Sequence, residues 1–211
     1  MTSDYNVDSK NPTQSQIELI LKLFNSKNFI EVKKEINKQI IKNPNSYILY
    51  NILGGVLSEQ GKLTEAIENY KKALKIKPNY AEAFNNLGIA FDKLNKTDEA
   101  IYNYKKAINL KKDFSIAYNN LGNVLLHTQK IKESVQCYKE ATNINSNYHE
   151  AYNGLGDAYR ILGDKKNAIT NFEKATKINP NYAEAYNNLG MILYETSMFY
   201  EALICYKKAL R

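Results

Sequence analysis

The chain lacks several residue types on which common functions depend. Among its 211 residues there is no tryptophan, and there are only two arginines, two cysteines and four prolines. Arginine makes bidentate contacts to phosphate and guanine, so its scarcity argues against nucleic-acid recognition even though the formal net charge is +7. No apolar run reaches the roughly 18 residues that a membrane-spanning helix needs, and the polar residues 1–12 contain no secretory signal. We therefore expect a cytoplasmic protein.

Residues typical of catalytic and metal sites are also scarce. His127 and His149 have no Cys, Asp or Glu at metal-ligand spacing, and no glycine-rich phosphate loop follows a strand pattern. His127 is expected to be a surface histidine or to touch a ligand. We predict no catalytic site, no metal site and no cofactor, so the chain is not expected to be an enzyme.

A repeat of 34 residues dominates the sequence. A Leu-Gly pair recurs in register, and an aromatic residue stands four positions before each glycine. A small residue and a second aromatic residue recur in the second half of each repeat. In column order these residues are Gly54, Gly88, Gly122, Gly156 and Gly190; Tyr50, Phe84, Tyr118, Tyr152 and Tyr186; Ala66, Ala100, Ser134, Ala168 and Ala202; and Tyr70, Tyr104, Tyr138, Phe172 and Tyr206.

The spacing of apolar residues by three, four and seven predicts two amphipathic helices in each repeat. Gly61 and Gly163 fit the left-handed residue that ends a helix. Pro78 and Pro180 are predicted to end second helices, with Asn79 and Asn181 capping the next helix. The glycine of the first helix and the small residue of the second are predicted to let the two helices approach closely.

These columns resemble the tetratricopeptide repeat (TPR) family. The resemblance implies an all-α solenoid, a right-handed superhelix of antiparallel helix pairs. We predict a polar, disordered tail at 1–12 and a degenerate capping repeat at 13–46, in which Ile20 and Val32 occupy the two positions that should be small. The remaining units are predicted at 47–80, 81–114, 115–148, 149–182 and 183–211.

In this family the first helices line a concave groove that usually holds a peptide. Asparagines fill the column after the first aromatic residue and much of the following column. Their amides can pair with the main chain of an extended peptide, whereas the alternative is that they satisfy nearby backbone groups or reflect codon bias. The predicted groove residues are Asn51, Asn85, Asn86, Asn119, Asn120, Asn123, Asn153, Asn187 and Asn188.

The Tyr-Asn-Asn-Leu-Gly pattern is similar to the repeats of O-linked N-acetylglucosamine transferases. That resemblance implies an asparagine ladder at Asn86, Asn120 and Asn188, from which Ile52 and Gly154 depart. The leading hypothesis is a scaffold that binds a protein or peptide. The alternative is the substrate-recruiting region of a larger enzyme such as that transferase.

Other binding modes find less support. A chaperone carboxylate clamp is not expected, because Asn119, Gly154 and Glu184 stand where cations are needed. The second helices carry a ridge of lysines, which we interpret as solvated surface; a nucleic-acid or membrane role for it is the weakest hypothesis. These lysines are Lys71, Lys72, Lys105, Lys106, Lys139, Lys174, Lys207 and Lys208.

The last repeat stops inside its second helix. Leu203, Tyr206 and Leu210 are predicted to present an uncapped apolar face. We therefore hypothesise that the chain is either a fragment of a longer protein or a module whose last face docks on a partner or a second copy. Cys137 and Cys205 stand two repeats apart, too far for a disulfide, and are predicted to be packing thiols.

Overall fold

The computed structural model describes residues 11–210, in which all regular secondary structure is helical. Residues 1–10 of the predicted tail lie outside the described residues. The helices are α1 (Gln14–Asn25), α2 (Phe29–Lys42), α3 (Tyr47–Glu59), α4 (Leu63–Ile76), α5 (Ala81–Lys93), α6 (Thr97–Leu110), α7 (Ser115–His127), α8 (Ile131–Ile144), α9 (His149–Ile161), α10 (Lys165–Ile178), α11 (Ala183–Glu195) and α12 (Phe199–Ala209).

The chain forms two compact units, one ending at Leu110 and the other beginning at Lys111. In the first unit α3 packs on α4, α4 on α5 and α5 on α6; in the second, consecutive helices from α7 to α12 pack in the same order. Each unit also brings alternate helices together, since α3 contacts α5 and α9 contacts both α7 and α11. The predicted all-α solenoid class is confirmed, whereas a right-handed superhelix stays a prediction.

The turn inside each helix pair contains one residue with a positive φ. Gly61 (φ 74°) and Gly163 (φ 78°) take this conformation as predicted. Four non-glycine residues at the same repeat position also have a positive φ, between 57° and 65°, which the sequence did not predict: Lys27, Asn95, Gln129 and Ser197. A left-handed residue is costly for any side chain with a Cβ, so these turns carry strain that glycine would relieve.

Two second helices end just before a proline, as the sequence predicts. Helix α4 ends at Ile76 and α10 at Ile178, each two residues before the predicted proline. The predicted caps were wrong. Asn79 and Asn181 lie in turns, and the N-cap residues of α5 and α11 are Tyr80 and Tyr182, whose side chains make no capping hydrogen bond. The Pro-Asn pair is used to reverse the chain, so the helix starts later than expected.

The repeated glycines make room for an aromatic ring. A Cβ added to Gly54 would lie 2.5 Å from the ring of Tyr70, and one added to Gly88 would lie 2.7 Å from the ring of Tyr104. The same clash recurs in the other three pairs. The residue in contact with each glycine is therefore the aromatic residue of the second helix. The small residues are themselves fully buried, as at Ala66 and Ser134.

The two ends of the described chain differ in burial. Ile20 and Val32 are fully buried in a core cluster with Ile36, so large residues fill the pair that was expected to be degenerate. At the other end, Leu203 and Leu210 are exposed on or directly after α12. A docking role for that face stays a prediction.

Candidate functional site

The asparagines predicted to line a groove do not share one environment. In the column that follows the aromatic residue, Asn85, Asn119 and Asn153 are buried, Asn51 is half-buried and Asn187 is exposed. Buried amides need hydrogen-bond partners, and the partners show what these side chains do.

In the first unit, Asn51 joins two consecutive helix pairs. Its Nδ2 donates to the hydroxyl of Tyr80 at 3.3 Å, and its Oδ1 accepts from Asn86 Nδ2 at 3.1 Å. Asn85 Nδ2 in turn donates to Asn86 Oδ1 at 3.5 Å. Tyr80 is the N-cap residue of α5 and Asn86 lies on α5, so this arrangement, which we call the asparagine clasp, ties α3 to the beginning of α5.

The second unit repeats the clasp at Asn153. Asn188 Nδ2 donates to Asn153 Oδ1 at 3.1 Å, and Asn153 Nδ2 donates to Glu184 Oε1 at 3.0 Å. The other Glu184 oxygen accepts from the Tyr182 hydroxyl at 3.1 Å. Both sides of the Asn153 amide are therefore satisfied by the following repeat.

Asn119 forms only half of a clasp. It makes a side-chain hydrogen bond with Tyr148, the residue equivalent to Tyr80. Burial, and to a smaller extent Glu150, raise the pKa of Tyr148 to about 12, and the bond from Asn119 opposes that rise. Asn119 Oδ1 is buried without a hydrogen-bond partner. The missing donor has a simple cause, because the residue 35 positions later is Gly154 rather than asparagine.

A cavity of about 350 Å³ lies beside this position, on the side of the second unit where α7, α9 and α11 meet. Four of the predicted groove residues come together around it: Asn119, Asn123, Asn153 and Asn188. The other lining residues are Leu126, His127, Tyr138, Glu150, Gly154, Asp157, Tyr182 and Glu184.

The cavity is acidic. Glu150, Asp157 and Glu184 line it, and none of the described residues that line it is lysine or arginine. Arg160 lies outside the lining and pairs with Asp157 at 2.6 Å. The acidic character of this cavity was not predicted from the sequence, although Glu82, Glu150 and Glu184 recur at one repeat position, three residues before an asparagine of the column that contains Asn51 and Asn153. On a helix that spacing places the carboxylate beside the amide.

The remaining predicted groove residues vary. Exposed Asn123 accepts a hydrogen bond from the Tyr138 hydroxyl at 2.7 Å. Asn187 is exposed, with Nδ2 3.8 Å from the sulfur of Met191. Asn120 is half-buried. The two predicted asparagine columns therefore divide into amides that hold repeats together and amides that face solvent.

Part of the lysine ridge packs on aromatic rings. Lys72 Nζ lies 5.8 Å from the ring centre of Tyr50, and Lys174 Nζ lies 4.4 Å from that of Tyr152, each lysine being 22 residues after its tyrosine. A larger concavity of about 780 Å³ in the first unit is lined by Lys72 and Lys77, but these ammonium groups already contact tyrosine rings. None of the predicted groove asparagines lines this larger concavity.

Other site types are not seen in residues 11–210. No group of three or more His, Cys, Asp or Glu is placed to hold a metal ion there. Within the same range, no helix is long and apolar enough to cross a membrane. Cys137 and Cys205 are both free thiols.

Comparison with known proteins finds one repeat family and several similar solved structures. The profile of a family described as TPR repeat matches residues 54–95, 93–129, 122–163 and 156–197. The crystal structure of MamA is 30% identical, with a TM-score of 0.67 over 74% of this chain and 92% of MamA. That of YrrB is 25% identical, with a TM-score of 0.66 over 83% and 90% of the two chains. That of PilW is 17% identical, with a TM-score of 0.81 over 92% and 91%.

YrrB is described as a TPR protein with an unusual peptide-binding site, and PilW as a widely conserved type IV pilus biogenesis factor. No curated protein sequence matches the chain significantly. The matches to the family profile span well over half of the chain, from within α3 to just beyond α11. The chain belongs to the TPR repeat family.

Proposed function

We propose that this protein is a non-enzymatic scaffold that holds a peptide or an extended segment of a partner protein. The binding surface lies along α7, α9 and α11. The observation that carries the proposal is the cavity around which Asn119, Asn123, Asn153 and Asn188 gather. Concave sites with a few convergent polar groups are the usual places for ligands.

Similarity to YrrB supports this assignment, because that protein is described as having a peptide-binding site. TPR proteins serve as interaction scaffolds, and the helix pairs of this chain show the same architecture. Stacked repeats present a row of first helices, which suits a ligand in extended conformation. We place this binding in the cytoplasm.

The two classes of asparagine have different roles in the proposed mechanism. The clasp residues, such as Asn153, fix the spacing of successive first helices and so set the shape of the surface. The exposed amides of Asn123 and Asn187 are available to the ligand and can both donate and accept hydrogen bonds. The carboxylates beside them disfavour an acidic chain terminus, so the site does not act as a carboxylate clamp.

The proposal can be tested with peptides selected from a displayed random library against the full chain. Amide hydrogen exchange should show protection on α7, α9 and α11 when a selected peptide binds. Replacing Asn123 and Asn187 together with alanine should weaken binding, whereas Asn143→Ala, on the second helix α8, should not. Protection confined to second helices, or equal affinity of the double variant, would refute the assignment.

A second candidate is recruitment of substrates for an enzyme whose catalytic residues are not in this sequence, such as an O-linked N-acetylglucosamine transferase. The pattern Tyr-Asn-Asn-Leu-Gly at 118–122 and 186–190 favours it. Sequencing the natural transcript through codon 211 separates the two. A catalytic domain in frame supports recruitment, and an immediate stop codon supports a free-standing scaffold.

A further inference from the structure

The position beside Gly154 lacks the side-chain donor that Asn86 and Asn188 supply at the equivalent positions. We propose that it is a subsite for a cationic side chain, lysine or arginine, of the bound segment. This inference rests on the proposed peptide-binding function and specifies the chemistry of the ligand. It starts from one unpaired oxygen, Asn119 Oδ1.

The missing bond follows from the repeat itself. Asn86 donates to Asn51, and Asn188 donates to Asn153, in each case across 35 residues. The corresponding donor for Asn119 would come from residue 154, which has no side chain. Asn119 is 6% exposed, so its carbonyl oxygen has lost water on folding without gaining a partner. Such an oxygen accepts a hydrogen bond from any donor that can reach it.

The surroundings select a positive donor. Glu150 and Asp157, on the next first helix α9, line the same cavity, and so does Glu184 on α11. Asp157 already pairs with Arg160, so Glu150 and Glu184 are the carboxylates that favour a positive ligand. A neutral amide would satisfy the oxygen alone, whereas an ammonium or guanidinium group satisfies it and is also attracted to these two carboxylates. The side chain of Glu150 is 47% exposed, so it can meet a ligand at the edge of the cavity.

Tyr138 controls access to this position. A Cβ at residue 154 would lie 2.5 Å from its ring, so the phenol occupies the space of the missing side chain. Its hydroxyl donates to the exposed amide of Asn123 at 2.7 Å. The ring is 1% exposed and fills this position, so binding requires its end to move, and the entering N–H donor then takes the place that Asn86 and Asn188 hold in the complete clasps.

The test uses nuclear magnetic resonance of the full ¹⁵N-labelled chain with a minimal probe, N-acetyl-arginine-N-methylamide. The lysine analogue is expected to act likewise. The Asn119 side-chain amide and the Gly154 backbone amide should shift with a saturating dose response. The glutamine analogue, which donates hydrogen bonds without charge, and the glutamate analogue should not bind measurably. Affinity for the arginine probe should fall as sodium chloride is raised.

Two variants test the residues. Gly154→Asn restores the repeat donor and should weaken probe binding at least about tenfold, since hydrogen bonds to charged groups are strong. Glu150→Gln keeps size and fold and should weaken binding about two- to fivefold. Glu173→Gln, on the second helix α10, is the matched control and should have no effect. If Gly154→Asn proves unfolded, Glu150→Gln decides alone.

The outcomes separate this inference from the proposed function. Equal binding of the arginine and glutamine probes, or no effect of either site variant, overturns the cationic subsite. If library peptides still protect the first helices in that case, peptide binding stands and only the subsite is wrong. If no selected peptide protects α7, α9 or α11, the proposed function fails, whatever the small probes show.

Discussion

The side-chain amide of Asn188 donates a hydrogen bond to the Oδ1 of Asn153, the residue 35 positions earlier, at a distance of 3.1 Å. The same bond joins Asn86 to Asn51. These asparagines, which the repeat pattern assigns to a ligand-binding groove, thus bind each other across successive helix pairs. Their structural contribution can be measured separately from any role in binding.

Replacing Asn153 with alanine should destabilise the protein. The change removes the hydrogen bonds that Asn153 makes to Glu184 Oε1 and to the amide of Asn188, which costs about 1–3 kcal/mol in the free energy of unfolding. Asn187→Ala is the matched control, because that side chain lies in the same repeat column but is exposed. Urea denaturation of both variants measures the difference, and equal stability would show that the clasp contributes nothing.

Two adjacent glycines should respond oppositely to alanine. A Cβ at Gly54 would lie 2.5 Å from the Tyr70 ring, whereas one at Gly55 has its nearest contact at 4.0 Å. Gly54→Ala should lower the free energy of unfolding by about 1–3 kcal/mol through overpacking. Gly55→Ala should raise it by up to about 1 kcal/mol, since alanine favours the helix. Thermal unfolding of the two variants measures both changes in stability. Changes of the same sign would contradict this packing.

Glycine at the strained turns should stabilise the fold. Gln129 and Ser197 have φ of 61° and 65° at the position where Gly61 and Gly163 stand in other repeats. Gln129→Gly or Ser197→Gly should raise the free energy of unfolding by about 0.5–1 kcal/mol, because the relief of strain exceeds the entropy cost of glycine. Asn95→Gly should gain less, since asparagine tolerates this conformation. A loss of stability in both glycine variants would refute the prediction.

Stability should fall in strongly alkaline solution. Burial, followed by Glu82, raises the pKa of Tyr80 from 10.0 to about 12. Between these values the unfolded chain has lost the Tyr80 proton while the folded chain retains it, so the unfolded state binds fewer protons. The stabilisation is present below pH 10 and is lost as pH rises through about 12.

Replacing Tyr80 with phenylalanine should flatten this pH dependence of the unfolding free energy. Other buried tyrosines also make the free energy of unfolding depend on pH, so its slope against pH should decrease in Tyr80→Phe without reaching zero. Tyr102→Phe is the control, since that ring is 58% exposed. An unchanged slope in Tyr80→Phe would show that the Tyr80 proton is not linked to folding.

Much of the architecture could be predicted from the sequence. Apolar spacing gave the helices, Pro78 and Pro180 gave the ends of α4 and α10, and Gly61 marked a left-handed turn. The helix starts were less predictable, because Asn79 is a good N-cap residue that serves in a turn instead. Local preferences of this kind yield to the way in which the chain must reverse between packed helices.

The candidate site could be predicted only in part. The sequence named nine asparagines, but it could not say that Asn153 is buried against the next repeat while Asn187 faces solvent. Both stand at the same repeat position, and the difference depends on whether another helix pair covers them in the described chain. The repeat pattern alone cannot show that difference in burial.

By itself, the sequence determined the repeat length, the helical class and the membership of the TPR family, because each follows from residue spacing within a short stretch of chain. The tertiary structure decided which side chains meet. Gly154 is an ordinary irregularity in one column until the fold places it beside Asn119, where it leaves an oxygen unpaired at an acidic cavity. The pairing of residues 35 positions apart is set by stacking between repeats, and only the packed chain brings them within hydrogen-bond distance.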